Sequence, residues 1–322
     1  MILLTGCNTL LGRTLLKKLV EKGEKVRCYD FYKTKDFPEN LEFINGDLLD
    51  PRQLKKACDG VETIIHLMDI KRPGKKGRKY MKKINIKGSE NLLFAAQKAS
   101  IKRFYFLSSY AVYGKPKAMP VRQDDRKKPV TPYGKDKLKI ENQCWTLITK
   151  KSMPITIFRP ALIIGPQVKD PVVLMSLFMA LGMDEANRMY VAHNGNTKFQ
   201  LLHPDDAADA IMAAYTAKST TGKAYNIGSD NVPTQMDQIV RLRDRLRIDP
   251  PLSFITPGKA IFLFLFLKLV KTNYFTREHL FYLLNSLILD CQNIKTDLGW
   301  QPKKDNMEIL TETVEWYLKE KL

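Results

Sequence analysis

Tyr133 and Lys137 stand four residues apart, and Ser109 closes the short run Phe104-Tyr-Phe-Leu-Ser-Ser109. On a helix, positions i and i+4 share a face, so Lys137 would stand beside Tyr133. A phenol with its usual pKa of about 10 exchanges protons poorly near neutrality, and an adjacent ammonium favours the phenolate and makes it usable for acid–base work. A hydroxyl at a strand end, Ser109, can hold the substrate oxygen on which the proton moves. These three residues predict alcohol–carbonyl chemistry. A Tyr-x-x-x-Lys pair also arises by chance in many chains, so its weight depends on the elements that would position it.

Those elements begin at the N-terminus. Residues 1–5 are an apolar run, residues 10–22 carry apolar side chains at helical spacing with Gly23 as a stop, and residues 25–30 read as a second strand. Strand, glycine turn, helix, strand is the opening unit of a dinucleotide-binding sheet. In the turn Thr5-Gly-Cys-Asn-Thr-Leu-Leu-Gly12, Gly6 permits the tight bend and Gly12 lets the helix pack on the strand. The helix start at Leu10 would face a pyrophosphate. Thr9 stands where a middle glycine would allow closest phosphate approach, so it either pushes the phosphate outward or offers it a hydroxyl. Asp30, at the end of the second strand, suits the two ribose hydroxyls of NAD better than the 2′-phosphate of NADP.

Further strands are predicted at 41–46, 61–68 and 102–109, with helices over 51–59 and 77–100. The run 61–68 is apolar almost throughout, as a strand buried on both faces should be. The alternation predicts an α/β fold: a Rossmann-type, doubly wound parallel sheet with a smaller mixed C-terminal substrate lobe. The nucleotide-binding domain covers 1–165, the strand near 223–228 returns to it, and the substrate-binding lobe covers 166–322. The chain has 322 residues and a net formal charge of +19, much of it in short Lys/Arg clusters. These read as solvated surface or as attraction for anionic cofactors or lipid headgroups; no signature supports nucleic-acid binding. Five scattered cysteines point to reduced thiols and a cytoplasmic setting, and the four histidines show no metal-ligand spacing. No signal peptide is expected.

The ordered motifs resemble the extended short-chain dehydrogenase/reductase family, the NAD-dependent epimerase/dehydratases. They comprise the Gly6/Gly12 loop, Gly46-Asp47-Leu48, His66-Leu67, Asn85 with Gly88 and Asn91-Leu92, Ser108-Ser109 with Val112-Tyr113-Gly114, and Pro132-Tyr133-x-x-x-Lys137. Arg159-Pro160, Gly165-Pro166, His203-Pro-Asp-Asp206, Tyr225-Asn-Ile-Gly228 and Leu298-Gly-Trp-x-Pro302 continue the series. The resemblance implies Tyr133 as acid/base, Lys137 as its tuner and ribose ligand, and Ser109 as the substrate-polarising hydroxyl. It implies Asp47 and Leu48 beside the adenine, and His66, Leu67, Asn85, Ser108, Arg159 and Pro160 among the cofactor-lining positions. It also implies a homodimer.

The substrate is less legible. Nucleotide-sugar members carry an Asn where this chain has Leu162, and an Arg where it has Phe199. The apolar segment 260–270 would extend only about 16 Å as a helix, too short for a hydrocarbon core of about 30 Å. It is either a buried helix of the substrate lobe or, over 260–271, a peripheral membrane contact flanked by Lys259, Lys268 and Lys271. This layout is similar to the 3β-hydroxysteroid dehydrogenase and dihydroflavonol reductase branches. Three functions follow: an NAD-dependent oxidoreductase of a steroid-like or lipid-linked alcohol, a nucleotide-sugar epimerase or dehydratase that returns its hydride, and a non-catalytic cofactor-binding scaffold.

Overall fold

In the computed structural model, the structure describes residues 1–35, 37–71, 77–169, 188–192, 194–269 and 277–321. Seven parallel strands form the central sheet: β1 (Ile2–Thr5), β2 (Val26–Asp30), β3 (Glu42–Asn45), β4 (Thr63–His66), β5 (Arg103–Leu107), β6 (Ile155–Pro160) and β10 (Ala224–Ile227). Their order is β3-β2-β1-β4-β5-β6-β10. The order reverses between β1 and β4, which is where ligands bind in sheets of this kind, at the carboxyl ends of the strands. Thr5 pairs with both Tyr29 and His66, and His66 with Phe106, so those ends are level across the middle of the sheet.

Period-two alternation sorts the strand residues onto two cores. Ile2, Leu4, Ile65, Tyr105 and Phe158 face one side, where Leu11, Leu15 and Leu19 of α1 (Leu10–Glu21) meet Ala207, Ala210, Ile211 and Ala214 of the helix Pro204–Thr216. Leu3, Ile64, Phe104, Phe106 and Ile157 face the other. There they meet α2 (Pro51–Ala57), α4 (Ser89–Lys98) and α5 (Pro132–Lys151) through Leu54, Leu93, Ile140 and Cys144. The helix predicted over 77–100 is α3 (Gly77–Lys82) and α4 joined by a π turn, Lys83–Gly88. The irregular turn carries Asn85 inward, and Gly88 lies against Leu48, whose Cβ would be 2.7 Å from any Cβ placed there.

The C-terminal motif closes the main sheet from outside. Asp206 accepts the Lys303 and Lys304 amides at 3.1 and 3.2 Å, and its carbonyl accepts the Trp300 indole at 3.0 Å. Two short parallel pairs, β7 (Leu162–Ile163) with β9 (Leu201–Leu202) and β8 (Met189–Ala192) with β11 (Leu252–Ile255), belong to the later segments. The backbone at Phe199 forms an isolated parallel bridge with Leu287.

The helix Pro257–Leu269 leaves several apolar side chains of its first turns in solvent. Ala260 is buried, but Ile261, Phe262 and Leu265 are 44, 71 and 56% exposed. Of the two expectations for this segment, burial in the lobe does not hold for these three side chains. Residues 270 and 271 of the expected contact segment lie outside the described residues. Among the described residues no helix is long and apolar enough to cross a membrane.

Candidate active site

α5 starts at Pro132, with Thr131 capping it by accepting the Gly134 amide at 3.1 Å. Tyr133, Lys137 and Glu141 follow at successive turns and point into the protein, as the i, i+4 spacing requires. A Cβ on Gly134 would stand 3.0 Å from the Ala111 carbonyl carbon, so α5's first turn packs against the single 3₁₀ turn Tyr110–Val112 that Ser109 caps. Ser109 is buried and accepts the Ala111 amide at 3.1 Å. Ser109, Tyr133 and Lys137 thus gather at the carboxyl ends of β4 and β5.

A fourth residue joins them. Asp69, just beyond β4, accepts the Tyr133 hydroxyl at 2.6 Å and the Lys137 ammonium at 2.8 Å, both on Oδ2. Lys137 also donates to the Leu107 carbonyl at 2.7 Å. An ammonium has three protons, so one remains for a ligand hydroxyl. Burial raises the Asp69 pKa, but Lys137 and then Lys71 outweigh it and hold the carboxyl below its ordinary range. Sequence reading missed Asp69. A carboxylate directly after a strand buried on both faces, at the binding end of a parallel sheet, was the signal available for it.

The glycine loop is built as its sequence requires. Gly6 has φ +79°, and a Cβ there would lie 2.7 Å from the Met68 nitrogen, so the loop rests on the end of β4. Gly12 would strike the Cys7 Cα at 2.8 Å with any side chain. Thr9 turns inward: its hydroxyl donates to the Gly6 carbonyl at 2.8 Å and accepts the Gly12 amide at 3.0 Å, capping α1. Its methyl-bearing side chain therefore serves the loop's own backbone, and Leu10 opens the helix. Asp30 accepts the Asn8 and Phe31 amides at 2.9 and 2.8 Å. Burial raises its pKa, against those two bonds and a third from the Cys7 thiol. The Cys7 thiol donates weakly to the same carboxylate at 3.8 Å; of about four lone-pair sites one stays open, and the thiol's can be yielded to a second hydroxyl.

Other expected cofactor positions are occupied by bonds within the protein. His66 is clamped by the Thr5 hydroxyl at 2.7 Å and Ser89 at 2.9 Å, and burial with Lys137 nearby pushes its pKa down to about 3, so it is neutral. Asn85 exchanges two hydrogen bonds with the Ile70 backbone, at 2.8 and 2.9 Å, and so fixes the segment that carries Asp69. Asp47 accepts the Leu49 amide at 2.9 Å, and Leu48 and Leu67 are buried.

Arg159 and Ser108, expected to line the cofactor, both bond to Glu141 of α5. Arg159 and Glu141 form an ion pair with each side chain 1% exposed, Nη2 to Oε2 at 2.7 Å, and Ser108 donates to the same carboxylate. Arg159 Nη1 donates to the Tyr113 hydroxyl at 2.9 Å and the Gln123 carbonyl at 2.8 Å; Tyr113 in turn donates to Asn226 at 2.6 Å. With all three guanidinium nitrogens bonded to protein oxygens, Arg159 ties α5 to β6 and β10 while Pro160 ends β6 beside it. The ion pair sets the position of α5, and hence of Tyr133 and Lys137.

Residues 2–228 match the model of the NAD dependent epimerase/dehydratase family. The chain is 25% identical over 315 residues to an uncharacterised protein of Sinorhizobium fredii, covering 98% of this chain and 78% of that one. It is 23% identical over 326 residues to a UDP-glucose 4-epimerase of Vibrio cholerae, covering 98 and 95%. Among solved structures, a UDP-glucose 4-epimerase of Thermotoga maritima with UDP-glucose superposes with a TM-score of 0.81 at 22% identity, covering 100 and 99%. A dTDP-glucose 4,6-dehydratase of Streptomyces venezuelae with NAD bound gives 0.80 at 19%, covering 99 and 97%. The chain belongs to the NAD-dependent epimerase/dehydratase family, an extended short-chain dehydrogenase/reductase with NAD as its cofactor. The Gly6–Thr9 loop pressed onto β4 and the spare acceptor capacity of Asp30 fit that cofactor.

Proposed function

We propose that the protein oxidises a secondary alcohol of a nucleotide-linked sugar and returns the hydride to the sugar, to the same carbon as an epimerase or to the carbon that has lost its hydroxyl as a dehydratase. The observation that carries the chemistry is the Tyr133 hydroxyl held beside the Lys137 ammonium at the carboxyl ends of β4 and β5. Membership of the epimerase/dehydratase family and whole-length similarity to UDP-glucose 4-epimerases support the substrate class. A net charge of +19 also favours a doubly negative diphosphate substrate.

NAD, when bound, accepts a hydride from the alcohol carbon and can return it. Tyr133 moves the proton of the substrate hydroxyl, and Ser109 donates a hydrogen bond to the same oxygen. Lys137 offers its third proton to the nicotinamide ribose, and Asp30 accepts the adenosine ribose hydroxyls. Incubation with NAD and a panel of UDP-glucose, UDP-glucuronic acid, dTDP-glucose and apolar secondary alcohols tests this. Altered sugar stereochemistry or loss of water without accumulating NADH is expected. Turnover of the alcohols alone, with stoichiometric NADH, would overturn it.

Asp30 makes the cofactor preference measurable. A 2′-phosphate about 4 Å from its carboxylate is repelled by about 4 kcal/mol at an effective dielectric near 20. That corresponds to at least a hundredfold preference for NAD, since about 1.4 kcal/mol is tenfold. Flexible Lys33 and Lys35 recover at most about 1 kcal/mol. Asp30→Ala should erase the preference in cofactor titrations at one ionic strength, mainly by weakening NAD. Equal affinity for NAD and NADP in the unmodified protein would contradict the assignment.

A second reading, net oxidation of an apolar alcohol at a membrane surface, is favoured by exposed Ile261, Phe262 and Leu265 beside Lys259. It expects sedimentation with anionic vesicles that Phe262→Ser weakens, while stability changes by about 0.5 kcal/mol or less, as for surface substitutions. Indifference of the unmodified protein to such vesicles retires this reading.

A further inference from the structure

We propose that Asp69 is a ligand of the nicotinamide ribose, its Oδ1 accepting one hydroxyl of the diol while Lys137 donates to the other. The inference rests on the placing of that ribose at Lys137 and deepens it. Asp69 lies between the two halves of the cofactor site. One residue before it, the Met68 nitrogen would stand 2.7 Å from a Cβ on Gly6, so the phosphate-facing loop rests on this segment. On its other side, Asp69 Oδ2 meets the Lys137 ammonium at 2.8 Å and the Tyr133 hydroxyl at 2.6 Å. A dinucleotide running from Asp30 across the glycine loop to Lys137 therefore passes Asp69.

Both internal bonds fall on Oδ2, and Oδ1 makes none with any described residue. An ionised carboxylate is an acceptor only, with about four lone-pair sites, so Oδ1 can take a hydroxyl without displacing Lys137 or Tyr133. The ion pair thus presents one open acceptor beside the third, open proton of Lys137. That is the complement of a vicinal diol, whose hydroxyls each give and take a hydrogen bond. Lys137 and Lys71 outnumber the carboxylate, so the segment does not repel the neighbouring pyrophosphate. Asn85 holds the Ile70 amide and carbonyl at 2.8 and 2.9 Å, which fixes Asp69 from its C-terminal side. Ser109 and Tyr133 serve the substrate oxygen, and Asp69 is left to the cofactor.

The test is a binding cycle read by titration, with no substrate present. NAD is compared with analogues lacking the 2′- or the 3′-hydroxyl of the nicotinamide ribose, on the unmodified protein and on Asp69→Ala. The variant should bind NAD about 10–100-fold more weakly, the worth of one hydrogen bond to a charged group. ADP, which has no such ribose, should bind both proteins alike, and so reports that the glycine loop and Asp30 are in place. The substitution should cost little to the analogue that lacks the contacted hydroxyl. If it instead weakens NAD and both analogues by the same factor, Asp69 only positions its neighbours and the proposal is overturned, while the ribose stays at Lys137. If both analogues bind the unmodified protein as tightly as NAD, the placing of the ribose falls with it. Asp69→Asn, nearly the same shape, runs the same cycle where Asp69→Ala does not fold, with a smaller expected loss because its oxygen is uncharged. The sugar chemistry fails separately, by turnover of apolar alcohols alone.

Discussion

Tyr133→Phe should lower turnover of a nucleotide sugar by about 10²–10⁴-fold, the usual contribution of a positioned acid–base group. The ring remains, so packing of α5's first turn against the Ser109 turn is unchanged. What disappears is the hydroxyl through which the substrate proton moves. Its loss also removes one hydrogen bond to Asp69, and Lys137 still pairs with that carboxylate at 2.8 Å. The stability cost should therefore be modest, about 0.5–1.5 kcal/mol. NAD affinity should change little, because Asp30, Lys137 and the glycine loop are untouched. Steady-state turnover beside NAD titration of the same preparation checks both halves. Activity within a few-fold of the unmodified protein would remove Tyr133 from the chemistry.

Arg159→Ala should destabilise the protein by about 3–5 kcal/mol, because breaking a buried ion pair leaves an uncompensated charge. Glu141 is 1% exposed and would lose all the charge opposing it, while Tyr113 and the Gln123 carbonyl would each lose a donor. That is a large share of the about 5–15 kcal/mol that holds a typical fold. Replacing the pair together, as Arg159→Met with Glu141→Leu, should recover much of the loss, since no bare charge remains. Urea unfolding midpoints at unchanged slope provide the comparison. If Arg159 instead contacted the cofactor, the single variant would weaken NAD binding and leave the midpoint in place.

The doubly wound sheet was legible because its signals are local and repeated. Runs such as Val61 to Met68 are mostly apolar, Gly6 and Gly12 punctuate the first turn, and Tyr133 and Lys137 advertise a helix face by spacing alone. The return of β10 to the sheet follows a motif, Tyr225 to Gly228, and its register against β6 is visible only in three dimensions. The roles inside the motifs were harder to read. Arg159, His66 and Asn85 are separated in sequence from Glu141, Thr5 and Ile70, and only folding shows that their polar atoms serve protein partners. Thr9 looked like an obstacle to a phosphate until its hydroxyl was seen bonded to Gly6 and Gly12. Asp69 went unread because nothing in its local pattern marks it; its meaning comes from Tyr133 and Lys137, more than sixty positions away. An apolar helix such as Pro257–Leu269 left burial and surface contact open in the sequence, and only folding shows Ile261, Phe262 and Leu265 exposed.

The proposal that the hydride leaves and returns at a nucleotide sugar is tested most directly with UDP-glucose deuterated at the carbon of the sugar hydroxyl undergoing reaction. The protein, with NAD, converts it, and product and cofactor are analysed together. The expected result is a sugar product that retains the deuterium, with NADH never exceeding the amount of protein. Deuterium accumulating in free NADH in proportion to a keto product would contradict it and establish net oxidation instead.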